Sequence, residues 1–318
     1  MQRYVEATSG IVEVARAPVL RRSLGLDVHL IEGPETLIFT NPSVATHSGR
    51  RVVAVREVNY LRTRWTARPI FIDGSSVYRS RTWVYVYEEG SWSLCGARLL
   101  DTAQALPSTQ YGLEDPRLFV LEGSLWCLWT LGSQLDDGEL ANRMVMAEVG
   151  QNVIRDFHLL RSPYSLPREK NWMPFIVDGA LHVVYDLAHL EVYRVIGDTL
   201  DRVSKRDAPV PELMAHSGSS QLIPWGTEWL GVSHRVLWTP RRLANVMPHR
   251  FYVHHFILLS RDYELRALSR GFFFTRRGIE FCAGLAAEGQ KVIVSFGSNC
   301  SAAMLMELSA RQLASLFP

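Results

Sequence analysis

The chain has 318 residues, 47% of them hydrophobic, with Lys+Arg 34 against Asp+Glu 32 and a formal net charge of +2. That is enough apolar material for a large core without disulfide or metal staples. The balanced charge, with no long run of one sign, excludes a nucleic-acid footprint and argues against a polyanionic partner. No stretch of about 18 apolar residues occurs, and the first residues, MQRYVEATSGIVEVARAPVL, carry charges every few positions instead of an apolar signal core. The expectation is a soluble cytoplasmic protein with no membrane partner.

Along the chain, short runs rich in Val, Ile, Tyr, Phe and Trp follow one another: RRVVAVREV, RTWVYVYEE, SLWCLWTLG, RMVMAEVG, ALHVVYDL, LEVYRVIG, EWLGVSHRV, FYVHHFILL and QKVIVSFG. Length and composition are those of β-strands. Between strands, Ser48-Gly49, Glu122-Gly123, Asp178-Gly179 and Glu288-Gly289 predict hairpin turns. Helical spacing is convincing at the end, where Ser309 can cap a helix over 309–317. Cys95, Cys127, Cys282 and Cys300 are far apart, among apolar neighbours and without a C-x-x-C pair, the pattern of reduced core thiols. His254 and His255, adjacent in a strand, face opposite sides. No metal-ligand spacing and no cofactor fingerprint is found, so neither is expected.

Five polar segments each precede an apolar strand: FTNPSV at Asn41, LEDPRLF at Asp115, EKNWMPF at Asn171, HSGSSQLIP at Ser219 and GIEFCAG at Glu280. A unit of polar start, strand, turn and further strands, repeated five times at about sixty residues each, predicts an all-β, five-bladed β-propeller. One such domain uses 1–318, with 1–34 as an N-terminal extension packing on or closing it. A sandwich or barrel of this length needs long unexplained loops. In a propeller the innermost strand of each blade starts at the central channel, so the five polar starts converge on one pocket.

Each group has two readings. Glu114 and Asp115 can brace a turn that Pro116 fixes and Arg117 ties down, or one of them can donate a proton with Arg117 orienting it. Asn41, Arg56, Asn59, Tyr60, Glu169, Lys170 and Asn171 are either solvated loop residues or the donors and acceptors that hydroxyl-rich sugars require. Ser217, Ser219, Ser220 and Gln221 precede a strand ending in His234 and Arg235, and His234 is either a satisfied core histidine or a ligand-binding one. Glu280, set between Ile279 and Phe281 with Arg276 and Arg277 upstream, is an acid whose burial is costly unless it is paired or used.

The order E-D-P-R, K-N-W, a strand ending in His, E-F-x-x-G and VSFGSN, from about Asn41 to Asn299, resembles the five-bladed propellers of glycoside hydrolase family 130, the β-mannoside phosphorylases and β-mannosidases, and related glycosyl-transfer domains. The resemblance implies an enzyme acting with inversion on a mannoside-like glycosidic bond, with a carbohydrate as partner and inorganic phosphate as a possible co-substrate. It implies Asp115 as general acid; Asn41, Arg56 and Lys170 as sugar contacts; and His234 on the phosphate side, with Arg143 and Arg235 as the arginine candidates. If water is the nucleophile, Glu280 or Glu114 is the base to expect. Glu114, Arg117, Asn59, Asn171, Ser219 and Asn299 complete the expected binding set. Where the family carries Asp after its last strand this chain has Asn299, which can hydrogen-bond but carries no charge. A transferase using an activated sugar donor and a non-catalytic sugar-binding propeller are the competing readings.

Overall fold

The computed structural model describes residues 12–33, 37–61, 69–87, 94–100, 112–134, 140–150, 153–239 and 250–318. After β1 (Val28–Leu30), the first blade is β2 (Ile38–His47), β3 (Arg50–Val58), β6 (Ser80–Tyr87) and β7 (Leu94–Leu99), with the short pair β4 (Tyr60–Leu61) and β5 (Ile70–Phe71) between its second and third strands. Blade 2 is β8 (Leu113–Leu121), β9 (Ser124–Gln134), β10 (Leu140–Val149) and β11 (Ile154–Leu159). Blade 3 is β12 (Met173–Val177), β13 (Ala180–Asp186), β14 (Glu191–Ile196) and β15 (Thr199–Ser204). In blade 4 a broken inner strand, β16 (Ser217–Gly218) and β17 (Ile223–Trp225), pairs with β18 (Glu228–Trp238), followed by β19 (Arg250–Leu259) and β20 (Leu265–Leu268). Blade 5 is β21 (Glu280–Glu288), β22 (Lys291–Ser298) and β23 (Ala302–Ser309). Its outer strand is β1, paired antiparallel to β23. Five antiparallel sheets in chain order, the last completed by the first strand, make the five-bladed propeller that the repeat predicts.

Alternation explains why these strands read as nearly continuous apolar runs. Val52 and Ala54 pack with blade 2 residues such as Leu118 and Trp129, while Val53 and Val55 pack with Ile293 and Leu305 of blade 5. The same division fills the interfaces of blades 2 and 3, 3 and 4, and 4 and 5, so each sheet buries both faces. Cys127 and Cys282 are buried free thiols, and burial pushes the Cys282 thiol up to about 12. Three of the predicted turns form as expected: φ is 50° and 71° at Ser48 and Gly49, 50° and 80° at Glu122 and Gly123, and 48° and 76° at Asp178 and Gly179; the fourth hairpin turns one residue later, at Gly289-Gln290, because Glu288 still pairs with Lys291. Two positive φ values suit the right-handed strand twist. The C-terminal helix is Ala310–Ala314, and Ser309 forms a capping box with Gln312.

Two prolines act at the axis. Proline has no amide hydrogen for a ladder and is tolerated where a strand bulges. The pairing of β2 shifts between Thr40 and Ser43, around Asn41-Pro42, and that of β8 shifts between Glu114 and Arg117, around Asp115-Pro116. Asn41 and Asp115 take φ values of 44° and 52°, a conformation that Asn and Asp adopt more readily than other side chains. A bulge re-aims its side chain, and here it turns both toward the centre. Gln221 ties the inner strands together: its Nε2 donates to Val44 O (2.9 Å) and Leu285 O (2.6 Å), and its Oε1 accepts from Leu285 N (3.2 Å).

Candidate active site

At the inner-strand starts lies a cavity of about 660 Å³ with contributions from all five blades. Asp115 stands in its wall. Its Oδ1 accepts from Asn41 Nδ2 (2.8 Å) and from Arg56 (2.9 Å), and Arg56 also donates to Glu114 (2.8 Å), Ser80 Oγ (2.9 Å) and the Tyr60 hydroxyl (3.3 Å). Burial alone raises the Asp115 carboxyl; the charge of Arg56, the Asn41 hydrogen bond and the charge of Arg117 outweigh it and hold the pKa below the usual carboxylate value. Asp115 is therefore ionised at neutral pH. Burial also works against the Arg56 cation, but Glu114, Tyr60 and Asp115 raise its pKa well above the ordinary value.

Arg117 does not line the cavity. Fully buried, it donates to Ser219 O (2.7 Å), Asp115 O (3.1 Å) and Asn171 Oδ1 (3.3 Å), linking the inner ends of blades 4, 2 and 3. Ser219 is likewise buried and acts through His234: its Oγ lies 2.7 Å from His234 Nδ1. Among the described residues that hydroxyl has no other hydrogen-bond partner; donation to Nδ1 is the assignment that leaves no buried O–H unpaired, and it puts the ring proton on Nε2. Burial, then the charges of Arg117 and Lys170, push the His234 pKa down to about 3. His234 thus faces the cavity as a neutral hydrogen-bond donor.

Of the residues expected from the sequence, the structure brings Asn41, Arg56, Glu114, Asp115, Lys170, Asn171, His234 and Asn299 to the cavity wall. Others it places elsewhere. The Glu280 carboxylate, fully buried, accepts from the amides of Phe274 (2.7 Å), Thr275 (2.9 Å) and Arg276 (3.2 Å) and from the Thr275 hydroxyl (2.5 Å), bracing a turn away from the cavity. Burial outweighs those bonds and raises its pKa. Asn59 holds the loop 73–79 through Asp73 Oδ2 (3.1 Å), Val77 O (2.9 Å) and Arg79 N (2.8 Å). Arg143 donates to the carbonyls of Asn142 (3.1 Å) and Leu166 (3.0 Å), and Arg235 pairs with Glu13 (3.0 Å). Neither arginine lines the cavity; among the described residues its cations are Arg56, Arg168, Lys170 and Arg250.

No protein-family model and no curated protein matches the chain. Solved structures do. The β-1,2-mannobiose phosphorylase from Listeria innocua, in complex with β-1,2-mannobiose, aligns over 91% of this chain and 99% of its own at 10% identity and a TM-score of 0.56. MPT-1, a GDP-Man-dependent mannosyltransferase from Leishmania mexicana, aligns over 95% and 94% at 15% identity with a TM-score of 0.62. MPT-4 from the same organism, a mannose phosphorylase in complex with a phosphate ion, aligns over 90% of each chain at 13% identity and a TM-score of 0.57. The chain has the fold of the family 130 mannoside phosphorylases. The resemblance carried by E-D-P-R and its companions holds at the level of that mannoside-phosphorylase fold.

Tyr78, Arg168, Arg250 and Tyr252 also line the cavity, and the polar starts do not point to them. Tyr78 meets Tyr60 edge-on at 4.9 Å. The signal for Arg250 and Tyr252 was strand pairing: β18 and β19 set Trp238 opposite Arg250, Val236 opposite Tyr252 and His234 opposite His254, so one face carries them all toward His234.

Proposed function

We propose that the chain is a carbohydrate-active enzyme that moves a mannose-like glycosyl group between a sugar hydroxyl and a phosphoryl oxygen, with inversion. One observation carries this reading. A single cavity holds an ionised Asp115 together with Arg168, Lys170 and Arg250, cations that form no ion pair among the described residues. In the synthetic direction the hydroxyl oxygen of an acceptor attacks the anomeric carbon, its proton passes to the Asp115 carboxylate, and the bond to the phosphoryl oxygen breaks with the electron pair leaving on phosphate. In the phosphorolytic direction the same carboxyl returns that proton to the glycosidic oxygen. The depressed pKa of Asp115 suits the first direction. The cations and the His234 Nε2–H offset the negative charge on the departing oxygens.

Solved proteins of this fold support the sugar class, since two are mannoside or mannose phosphorylases and one is a mannosyltransferase. Hydrolysis is less well supported. Water needs a base; Glu280 is spent on its turn, and Glu114 is paired with Arg56. The test is to supply glycosyl phosphates with mannoside acceptors, and β-1,2-mannobiose with inorganic phosphate, and to follow phosphorus and anomeric signals by NMR. The reading expects phosphate-dependent exchange with opposite anomeric configuration in donor and product. Sugar release at the same rate without phosphate would overturn it.

A further inference from the structure

From His234 outward, one face of blade 4 carries a continuous stack. The His234 ring lies on Tyr252 at 5.1 Å and 15°; the Arg250 guanidinium lies over Tyr252 at 5.4 Å and over Trp238 at 5.6 Å. Among the described residues the stack runs from a buried cavity residue to Trp238, which is 57% exposed at the surface. From this geometry we infer an outer subsite for a nucleoside diphosphate, the diphosphate held at Arg250 and its neighbouring cations and the base laid on Trp238. The inference deepens the proposed glycosyl transfer by naming the class of group that carries the sugar.

Three facts favour this ligand. The Arg250 guanidinium lies over the Tyr252 and Trp238 rings and also lines the cavity, where its N–H donors can meet an anion. Arg168, Lys170 and Arg250 supply more positive charge than inorganic phosphate alone requires, and the two cavity carboxylates among the described residues, Glu114 and Asp115, are already matched with Arg56. A neutral glycan accounts for Trp238 but not for those cations; a bare phosphate accounts for only part of the positive charge and not for an aromatic plane at the rim. A nucleoside diphosphate needs both, in the order in which the stack supplies them. When the sugar is transferred, the acceptor oxygen bonds to the anomeric carbon, the bond to the β-phosphate oxygen breaks, the acceptor proton goes to Asp115, and the nucleoside diphosphate leaves with the electron pair.

Calorimetric titration of the full chain with GDP, UDP and ADP, set against pyrophosphate and inorganic phosphate, tests the subsite without any turnover. At least one nucleoside diphosphate should bind about tenfold or more tighter than pyrophosphate, the contribution expected of a base stacked on an aromatic side chain. Trp238→Ala should abolish that difference while binding pyrophosphate as the unaltered chain does, and Arg250→Ala should weaken both. Pyrophosphate binding as tightly as every nucleotide overturns the inference, as does a Trp238 response to manno-oligosaccharides alone. Loss of turnover on every glycoside, with nucleotide selectivity intact, would sink the proposed function and leave the subsite standing.

Discussion

Ser219 and His234 show how a residue outside the cavity governs one inside it. With the hydroxyl donating to Nδ1, His234 can present only an Nε2–H to the cavity. Ser219→Ala removes that constraint and lets the other tautomer compete. It should lower kcat roughly tenfold, within the range of positioning effects on acid–base chemistry, and shift the ¹⁵N resonances of the His234 ring toward the Nδ1-protonated form. Ser219→Thr, which keeps the hydroxyl, should restore both. An alanine variant with unchanged nitrogen shifts would show that Ser219 merely fills space. Asp115 depends on its neighbours in the same way. Arg56, Asn41 and Arg117 keep it charged against the pull of burial, so its role as proton acceptor is a property of side chains on β2 and β3 of blade 1 and on its own strand, β8.

At the scale of elements, the bulges and the inner-strand ties decide where polar groups point. Gln221 satisfies two buried carbonyls and one amide, in blades 1 and 5, from the break between β16 and β17 in blade 4. Gln221→Met keeps the length of the side chain but strands those groups, at about 1–3 kcal/mol each. Urea unfolding should show a loss of about 3 kcal/mol or more, and a change under 1 kcal/mol would show that the inner strands hold without it. The strands themselves, the Gly-containing turns and the Ser309 cap were legible because each depends on local chemistry. So were Asn41 and Asp115, since a proline inside an apolar strand marks a bulge. Glu280 misled because a buried acid signals only that something satisfies it; three turn amides from 274–276 do, and they come from an irregular segment with no periodic signature. Arg143 and Arg235, the arginines that the resemblance implies, are taken up by carbonyls and by Glu13, whereas Arg168 and Arg250 reach the cavity through pairings that only the folded register reveals.

For the whole molecule, blade 4 and its surroundings bury four histidines in neutral form. Burial lowers His216 to about 2, His234 to about 3 and His255 to about 4, and takes His254 well below its usual value. An unfolded chain protonates them near 6.5, so below that pH the unfolded state binds more protons and stability rises with pH. The stabilisation is complete above about pH 6.5 and is lost as pH falls toward the folded values, at about 1.4 kcal/mol per pH unit for each histidine. Asp115 acts in the same sense, its contribution present above the usual carboxylate value and lost as pH falls through its lowered one. Glu280, with a raised pKa, acts in the opposite sense, one group against those five. Melting temperatures should fall by about 5 °C or more between pH 7.5 and 5.5. His254→Leu, which removes a ring with neither nitrogen hydrogen-bonded, should flatten the pH slope by about one proton. A melting temperature that is level over this range would contradict the neutral-histidine account.

The central claim is that the Asp115 carboxylate moves the proton in glycosyl transfer. Asp115→Asn keeps the shape and a carbonyl oxygen for Asn41 and Arg56 but cannot take a proton. Steady-state kinetics of this variant on whichever glycosyl phosphate and acceptor the unaltered chain uses should show kcat reduced by about 100-fold or more, with the melting temperature measured alongside to confirm folding. A folded Asp115→Asn protein that transfers sugar at the unaltered rate would contradict the claim.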